Sequence, residues 1–458
     1  MDTHGKNVLI LGLAREGASL ACYLARQGAR VTVTDSAPHE RLRDRVRGLS
    51  GMGIRFFLGG HHPELLENTE LFFVSPGVSE QNPVCQAARE AGLTINSMTT
   101  LFFELCPGRI VGITGSSGKT TTTGLIAHIL GQAGVDTVVG GNIGDPMLDL
   151  LPRIAPSTTV VLELSSFQLS ILQRSPHLAV VTNITPNHLD RHGDMAHYVA
   201  AKQQIVQHQS PGDFTVLNAN DREVRGFAEV TSAEIRWFGY DLGAMRGATV
   251  LRGRLGIQAV RFSPVMAVSD IPLLGRHNVE NVLAALAAVD VLGVPGARIA
   301  AAVQTYRPAP HRLETIAEYG GVRYIDDSIA TSPARASVAL QALDAPVLLI
   351  AGGRDKQLPW DELARLITQK VRALFLIGEA APTIEDAVRR YLTKRSLLQE
   401  EAVVRCPSLC EAVAQATRLA AAGDVVLLSP GCASYDMFSD FEERGRMFAQ
   451  AVEALDAA

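Results

Sequence analysis

Residues 111–123, VGITGSSGKTTTT, have the types and spacing that phosphate chemistry needs. An apolar stretch, Arg109-Ile110-Val111-Gly112-Ile113, runs into Gly115-Ser116-Ser117-Gly118-Lys119-Thr120, and a helix-like stretch follows from Thr123 to Leu130. Glycines let a backbone curl until its N–H groups point inward at anionic oxygens. The start of a helix adds partial positive charge. Lys119 then reaches terminal phosphates, and the Thr120 hydroxyl is a ligand for Mg²⁺. The spacing departs from the usual G-x-x-x-x-G-K-[ST] loop, because Ile113 stands where the first glycine would, with Gly112 and Gly115 flanking it. The alternative is a plain Gly/Ser turn between a strand and a helix, and the Lys-Thr pair in this context argues against it.

Further along lie residues that would work beside such a loop. Glu163 ends an apolar run, Val160-Val161-Leu162, where an acid is costly unless paired or bound to a metal. The alternative is a strand-end acid in solvent. Ser165, Ser166 and Gln168 follow and either offer donors to a substrate or cap a helix. Asn187-His188-Leu189-Asp190-Arg191-His192 is a dense polar loop after another apolar run, 180–184. A divalent cation at that edge would take Thr120, Glu163 and His188, and nitrogen ligation suits Mn²⁺ or a second metal better than plain Mg²⁺. Read as a helix, residues 195–208 put Tyr198, Ala201, Lys202 and Ile205 on one face. A lysine on that apolar stripe must snorkel, pair or be modified.

Apolar runs alternate with helical stretches almost throughout, which predicts an α/β fold with parallel sheets. At 458 residues the chain has room for about three domains of ~150 residues. The first, 1–108, starts as a Rossmann-like βαβ unit with a glycine turn (Gly12, Gly17) but without the G-x-G-x-x-G fingerprint. There Asp35 either holds a ribose or base, or caps a turn. A strand from Leu71 breaks into Ser75-Pro76-Gly77, a turn placed where ligands bind in open α/β sheets. The central domain, 109–309, opens with the phosphate loop, has a section from 230 to 275 read as antiparallel, and contains a helix at 278–291. The third, 310–458, is again Rossmann-like, after a Pro308-Ala309-Pro310 joint. Its polar strand ends are Asp326-Asp327, Gly352-Gly353-Arg354-Asp355-Lys356 and Ser429-Pro430-Gly431-Cys432-Ala433-Ser434, and together they suggest a cleft. Lys356 and Arg444 could bind a carboxylate, the arginine in a bidentate manner; each is otherwise an ordinary surface charge.

Hydrophobic content of 47%, charge of 19% and a net charge of −5 are globular values that give no sign of nucleic acid or an anionic membrane surface. Six cysteines without metal or disulfide spacing read as reduced thiols. The N-terminal apolar run is too short for a signal peptide or a span. A cytoplasmic protein, acting as a monomer without membrane insertion, is expected.

These motifs resemble the Mur ligases, the ATP-dependent amino-acid-adding enzymes of bacterial peptidoglycan synthesis, and so of cell-wall biogenesis, cell shape and division. The likeness runs over essentially the whole chain. It rests on GITGSSGKTTT, GGNIG at Gly140, LELSSFQL, NHLDRH, the helix with Lys202, GRHNVENVLAA at Gly275, PHRLE at Pro310, DDSIATSP, GGRDK and LLSPGCASYDMFSDFEERG. LELSSFQL with SPGCAS favours the branch that adds glutamate to UDP-N-acetylmuramoyl-L-alanine. The resemblance implies UDP-binding, ATPase and amino-acid-binding domains. It implies that a substrate carboxylate takes the γ-phosphoryl group of ATP, after which the amino group attacks the acyl phosphate. Lys119, Glu163, His188 and Lys202 would be the catalytic set, Lys202 as a carbamate that ligates a second metal beside His188. Gly115, Ser116, Ser117, Gly118, Lys119, Thr120, Thr121, Asn281, Arg312 and Asp327 would contact ATP. Ala14, Arg15, Asp35, Ser36 and Gly77 would line the uridine and diphosphate site, with Asn142, Ser165 and Gln168 at the muramoyl part. Thr331, Lys356, Ser434, Tyr435, Phe441 and Arg444 would surround the glutamate.

In the best-known members the DS-x-AT segment carries a lysine where this chain has Ile329; that charge is lost or comes from elsewhere, such as Arg354 or Lys356. A branch of the family takes L-glutamate instead of D-glutamate, and no residue here excludes it. Another acceptor, as in an alanine-adding ligase or a folylpolyglutamate synthetase, is disfavoured by GGNIG and LELSSFQL. A P-loop nucleotide switch is disfavoured because Gly353-Arg354-Asp355-Lys356 is not a base-reading N/T-K-x-D element. Domain closure about 306–311 is expected if ATP and glutamate bind on different domains.

Overall fold

Apolar runs that end in glycine or polar turns form the strands of three sheets. The computed structural model describes residues 1–79, 82–273, 275–308, 310–343, 345–356 and 358–456; Ala309 of the expected proline joint lies outside them, as does the side chain of Asp190. The chain forms two compact units. One comprises Met1–Pro272 and Val279–Tyr306 and holds the first two sheets; the other comprises Leu273–Asn278 and Arg307–Ala458 and holds the third.

The first sheet is parallel, in the order Arg55–Leu58, Arg30–Asp35, Asn7–Leu11, Leu71–Val74, Ile95–Asn96. Asn7–Leu11 is covered on both faces: Val8 and Ile10 belong to one buried cluster, and Leu9 and Leu11 to another. Burial on both faces explains why this strand reads as a continuous apolar run rather than an alternating one. The strand order reverses between Asn7–Leu11 and Leu71–Val74, so the turns after them, at Gly12 and at Ser75, flank a topological switch point.

Among the described residues the second sheet has nine strands. Arg109–Thr114 lies between Thr159–Glu163 and Leu178–Val181, parallel to both, which brings Gly115, Glu163 and Thr182 to one edge. The section expected to be antiparallel is so only in part. Glu234–Tyr240 pairs in parallel with Phe214–Asn218 and with Gly247–Leu251; only Gly247–Leu251, Arg254–Gln258 and Phe262–Ala267 form an antiparallel meander. Short glycine-punctuated runs disclose strands but not their direction.

The third sheet runs Glu314–Tyr319, Val322–Asp326, Val425–Leu428, Val347–Gly352, Val371–Ile377, Val403–Arg405, with only the first strand antiparallel. Asp327, Ser429 and Gly353 therefore follow three adjacent strand ends. Among the described residues no helix is long and apolar enough to cross a membrane.

Candidate active site

The loop after Arg109–Thr114 turns on two glycines that no other residue could replace without strain. Gly115 has φ 154°, and a Cβ there would lie 1.9 Å from Thr182 Oγ1. Gly118 has φ 78°, and its Cβ would lie 2.3 Å from Asn281 Oδ1. Asn281, buried on the helix Arg276–Val291, thus abuts the loop, and it also accepts from Thr122 Oγ1 at 3.4 Å. The helix Lys119–Gln132 starts directly after Gly118, so its first turn presents the positive end of the helix to the loop, a place suited to an anion. The N–H groups of Ser116 and Ser117 instead donate to Asn183, at 2.8 and 2.9 Å. Lys119 Nζ folds back onto the carbonyls of Gly115 and Ser116, at 2.9 and 3.1 Å.

Glu163 is buried at the adjacent strand end. Its Oε2 accepts from the Thr120 hydroxyl at 2.7 Å and its Oε1 from Asn142 Nδ2 at 2.8 Å. A hydroxyl and a carboxylate in contact beside a phosphate loop are hard oxygen donors of the kind Mg²⁺ prefers, so these residues fit that ion. His188 lies on an exposed loop with φ 55° and heads the short helix Leu189–His192. Its ring meets Phe167 edge-on at 5.3 Å, and His192 stacks on the same ring at 4.9 Å. His192 in turn meets Tyr198 at 5.3 Å and exchanges a hydrogen bond with Ser166 Oγ at 2.9 Å. Neither Phe167 nor His192 stood out in the sequence, where each reads as one member of a motif.

Lys202 is 1% exposed on the helix Met195–Gln207, so it does not snorkel. Its Nζ donates to Gly115 O at 2.9 Å and Thr114 Oγ1 at 3.2 Å, and lies 4.9 Å from the centre of the Tyr198 ring. Burial, and then the charge of Lys119, hold this amine well below its ordinary value, with Glu163 pulling the other way. Tyr198, whose hydroxyl is 2.9 Å from Ser116 Oγ, is raised by burial.

In the same unit, the first sheet's residues approach the loops of the second. Arg15 Nη1 donates to Gly144 O at 2.7 Å. Gln168 is buried, caps with Ser165, and donates from Nε2 to Glu16 Oε1 at 2.8 Å. Glu16 is raised by burial and was not foreseen. Asp35 accepts the N–H groups of Leu13 and Ala37, at 2.6 and 2.8 Å, which is the turn-capping alternative. Ala14, Ser36 and Gly77 are exposed at these strand ends.

In the second unit, Asp327 Oδ2 accepts from Ser429 Oγ at 2.7 Å and Oδ1 from Leu313 N at 3.3 Å. Burial pushes this carboxyl up to about 7, against the pull of Ser429, Leu313 and Arg312. Arg312 sits between two left-handed non-glycine residues, His311 (φ 63°) and Leu313 (φ 44°), a cost usually sustained at functional positions. Among the described residues, the three that bring ligand atoms within 4.8 Å of one another are His311, Glu314 and Asp326; they are tied internally, His311 Nδ1 to Asp326 Oδ2 at 2.7 Å and His311 N to Glu314 Oε2 at 2.7 Å. Lys356 Nζ donates to Thr331 O at 3.0 Å. Ser434 is buried and Tyr435 is 66% exposed. Phe441 accepts at its carbonyl from Ser328 Oγ at 2.7 Å.

Arg444 does not sit as a surface ligand for a carboxylate. It is fully buried, and it donates to Ser328 Oγ (3.0 Å), Ser328 O (2.8 Å), Cys432 O (3.2 Å) and Ala433 O (3.3 Å). The helix Phe441–Asp456 thereby ties two strand-end loops together. Burial brings this guanidinium down to about 10.

A glycine loop on a helix N-terminus, a buried acid touching the loop's threonine, and parallel sheets define a nucleotide-dependent α/β enzyme of the phosphate-loop kind. Comparison narrows the class. Residues 6–97 match the MurD-like N-terminal domain of Mur ligases, 113–289 the Mur ligase middle domain, and 311–432 the Mur ligase glutamate ligase domain. The chain is 43% identical over 455 residues, 97% of both chains, to a UDP-N-acetylmuramoylalanine–D-glutamate ligase of Symbiobacterium thermophilum. It is 41% identical over 453 residues to that of Acetivibrio thermocellus, covering 99% of this chain and 97% of the relative. The chain belongs to the Mur ligase family. Its fold is also that of the UDP-N-acetylmuramate–alanine ligase of Thermotoga maritima (TM-score 0.57, 20% identity, 98% and 99% of the two chains). A pseudomurein peptide ligase of Methanothermus fervidus shares it too (TM-score 0.56, 18% identity, 98% and 100%). Mur ligases are ATP-dependent and require Mg²⁺.

Proposed function

We propose that this protein is the ATP-dependent ligase that joins D-glutamate to UDP-N-acetylmuramoyl-L-alanine in peptidoglycan precursor synthesis. The observation that carries this reading is the 43% identity over 97% of both chains to a D-glutamate ligase. The local geometry supplies the chemistry. ATP lies with its phosphates on the first turn of Lys119–Gln132. The alanyl carboxylate attacks the γ-phosphorus, a new O–P bond forms, and the β–γ bridging oxygen leaves with ADP. Lys119, tethered over the loop at Gly115 and Ser116, neutralises charge on the transferred group. The glutamate nitrogen then attacks the acyl carbon, loses a proton, and phosphate leaves. Mg²⁺ held by Thr120 and Glu163 supplies neutralising charge at the phosphoryl oxygens when bound.

A carbamylated Lys202 belongs to this reading. Addition of CO₂ requires a neutral amine, and burial, with the charge of Lys119, shifts Lys202 toward that form. The carbamate would be an anion able to hold a second Mg²⁺ or Mn²⁺ with His188. Residues 1–108 bind the UDP part through Ala14, Arg15, Ser36 and Gly77, with Asp35 shaping the turn. Residues 109–309 bind ATP, with Asn142, Ser165 and Gln168 on the muramoyl side. In residues 310–458, Arg312 and Asp327 are assigned to ATP, and Thr331, Lys356, Ser434, Tyr435 and Phe441 to glutamate, with Arg444 as their support.

Phosphate release from ATP, Mg²⁺ and UDP-N-acetylmuramoyl-L-alanine, with D-glutamate and L-glutamate in parallel, tests the reading. Turnover with D-glutamate is expected. Turnover with L-glutamate alone would overturn the stereochemistry, and none with either would overturn the acceptor.

A further inference from the structure

The side-chain amide of Gln168, the glutamine of LELSSFQL, is committed at one end. Its Oε1 accepts from Ser165 N at 2.9 Å and from Ser165 Oγ at 3.1 Å, as half of a capping box on Ser166–Leu169. An oxygen facing those donors leaves the nitrogen as the end that turns elsewhere. Nε2 gives one hydrogen to Glu16 Oε1 at 2.8 Å. Its second hydrogen has no acceptor among the described residues, although Gln168 is buried. A buried donor left over in this way is one that a ligand can satisfy.

Glu16 reaches Gln168 across 152 residues of chain, and its own place is fixed. It stands in the first turn of the helix Arg15–Arg26. The next residue, Gly17, packs so closely on the turn after Asn7–Leu11 that a Cβ would lie 2.0 Å from Gly12 O. The same helix meets loops of the second sheet at two more points: Arg15 Nη1 donates to Gly144 O at 2.7 Å, and Ser19 Oγ to Asp149 Oδ1 at 2.9 Å. Of the three contacts, that of Glu16 alone falls on a side chain assigned to the substrate.

An acid in a first helical turn suits the helix dipole without leaving solvent. Glu16 is instead drawn inward. Burial raises its carboxyl, against the pull of Gln168 and Arg15, and Oε2 is buried with no hydrogen-bond partner among the described residues. A local rule broken at this cost points to function rather than to stability. A carboxyl group also fixes the sense of the amide that it meets. Ionised, it accepts at both oxygens; protonated at the unpartnered Oε2, it still accepts at Oε1. In either state Gln168 can present only its nitrogen.

We propose that Glu16 is a positioning residue: it holds the carboxamide of Gln168 from the side of the first sheet, so that the remaining N–H of Nε2 meets an oxygen of the muramoyl part of the substrate. This rests on the UDP-muramoyl reading above.

The test measures KM for UDP-N-acetylmuramoyl-L-alanine, ATP and D-glutamate on the full chain, in wild type, E16M, E16Q, Q168A and the double variant E16M/Q168A. In E16M the KM for the muramoyl nucleotide should rise roughly tenfold, the worth of one hydrogen bond to a charged group, with the other two KM values unchanged. E16Q keeps an oxygen acceptor in the same space and should lie much closer to wild type. In a Q168A background, E16M should add less than about twofold, because a residue that acts only through that amide is not additive with its loss. An unchanged KM for the muramoyl nucleotide in E16M, an E16Q as poor as E16M, or effects of E16M and Q168A that multiply would each overturn the proposal while leaving the ligase reading intact. A lowered thermal midpoint in E16M with all three KM values raised together would overturn it as well, in favour of a structural role. Failure of the wild type itself to turn over UDP-N-acetylmuramoyl-L-alanine with D-glutamate would overturn both.

Discussion

Replacing Arg444 with methionine separates the carboxylate ligand read from the sequence from the clamp beneath the site that its burial defines. The guanidinium is fully buried and serves four acceptors: Ser328 Oγ, Ser328 O, Cys432 O and Ala433 O. Ala433 O keeps a second donor, the N–H of Arg354 at 2.8 Å, so three acceptors are left short, and at about 1–3 kcal/mol each they come to roughly 3–9 kcal/mol. Against this, methionine removes a charge that the fold disfavours. Burial lowers Arg444 from its ordinary value to about 10, a strain of about 3 kcal/mol. The net loss is then centred on about 3 kcal/mol, comparable with the breaking of a buried charge network. For a unit of some 150 residues that is a fall of roughly 6–12 °C in the thermal midpoint, measurable by circular dichroism on the full chain. R444K should fare nearly as badly, because an ammonium on a single stem cannot span acceptors on two loops as a planar fork does. Activity assayed well below the new midpoint should show a raised KM for D-glutamate together with a lowered kcat, as both loops relax. A wild-type midpoint in R444M, with KM for D-glutamate alone raised, would refute the clamp and return Arg444 to direct contact with the carboxylate.

Three further outcomes follow from the same geometry. Gly115→Ala should weaken ATP binding at least about tenfold, since its Cβ would lie 1.9 Å from Thr182 Oγ1 at φ 154°, a backbone region that costs a non-glycine residue of order 1–3 kcal/mol; calorimetric titration with a non-hydrolysable ATP analogue checks this, and equal affinity would count against the loop's role. Lys202 should gain the mass of carbon dioxide in native mass spectra, and the Lys202→Met variant should not; a plain amine in enzyme that turns over would remove the carbamate from the mechanism. Asp327 sits at about 7 in the fold, above its ordinary 3.8, so its contribution to stability is complete below about pH 4 and is lost as pH rises through about 7, a change of about 4 kcal/mol over the window. In the nucleotide-free protein, Asp327→Asn should therefore gain in thermal midpoint over wild type between pH 5 and pH 8, and a constant difference would contradict the burial argument.

What the sequence disclosed and what it hid divide along a physical line. Chemistry that depends on spacing within one element was legible. A helical reading of 195–208 placed Lys202 beside Tyr198, Ala201 and Ile205, and those four are buried in Met195–Gln207. The strand-end positions of Glu163 and Asp327 were legible for the same reason, because a polar residue closing an apolar run in a parallel sheet must emerge at the edge where ligands bind. Contacts made across elements were not. Arg444 looked like one more charge in FEERG because nothing in a helix repeat says that the helix crosses two loops closely enough to bury a guanidinium. The capping role of Asp35 likewise depends on the backbone of Leu13, 22 residues earlier in the chain. Lys202 stands on both sides of that line. Its helical spacing marks it for burial, but only the fold brings its Nζ to Gly115 O and Thr114 Oγ1, 87 and 88 residues earlier in the chain, where the phosphate loop and a buried amine come to share one carbonyl.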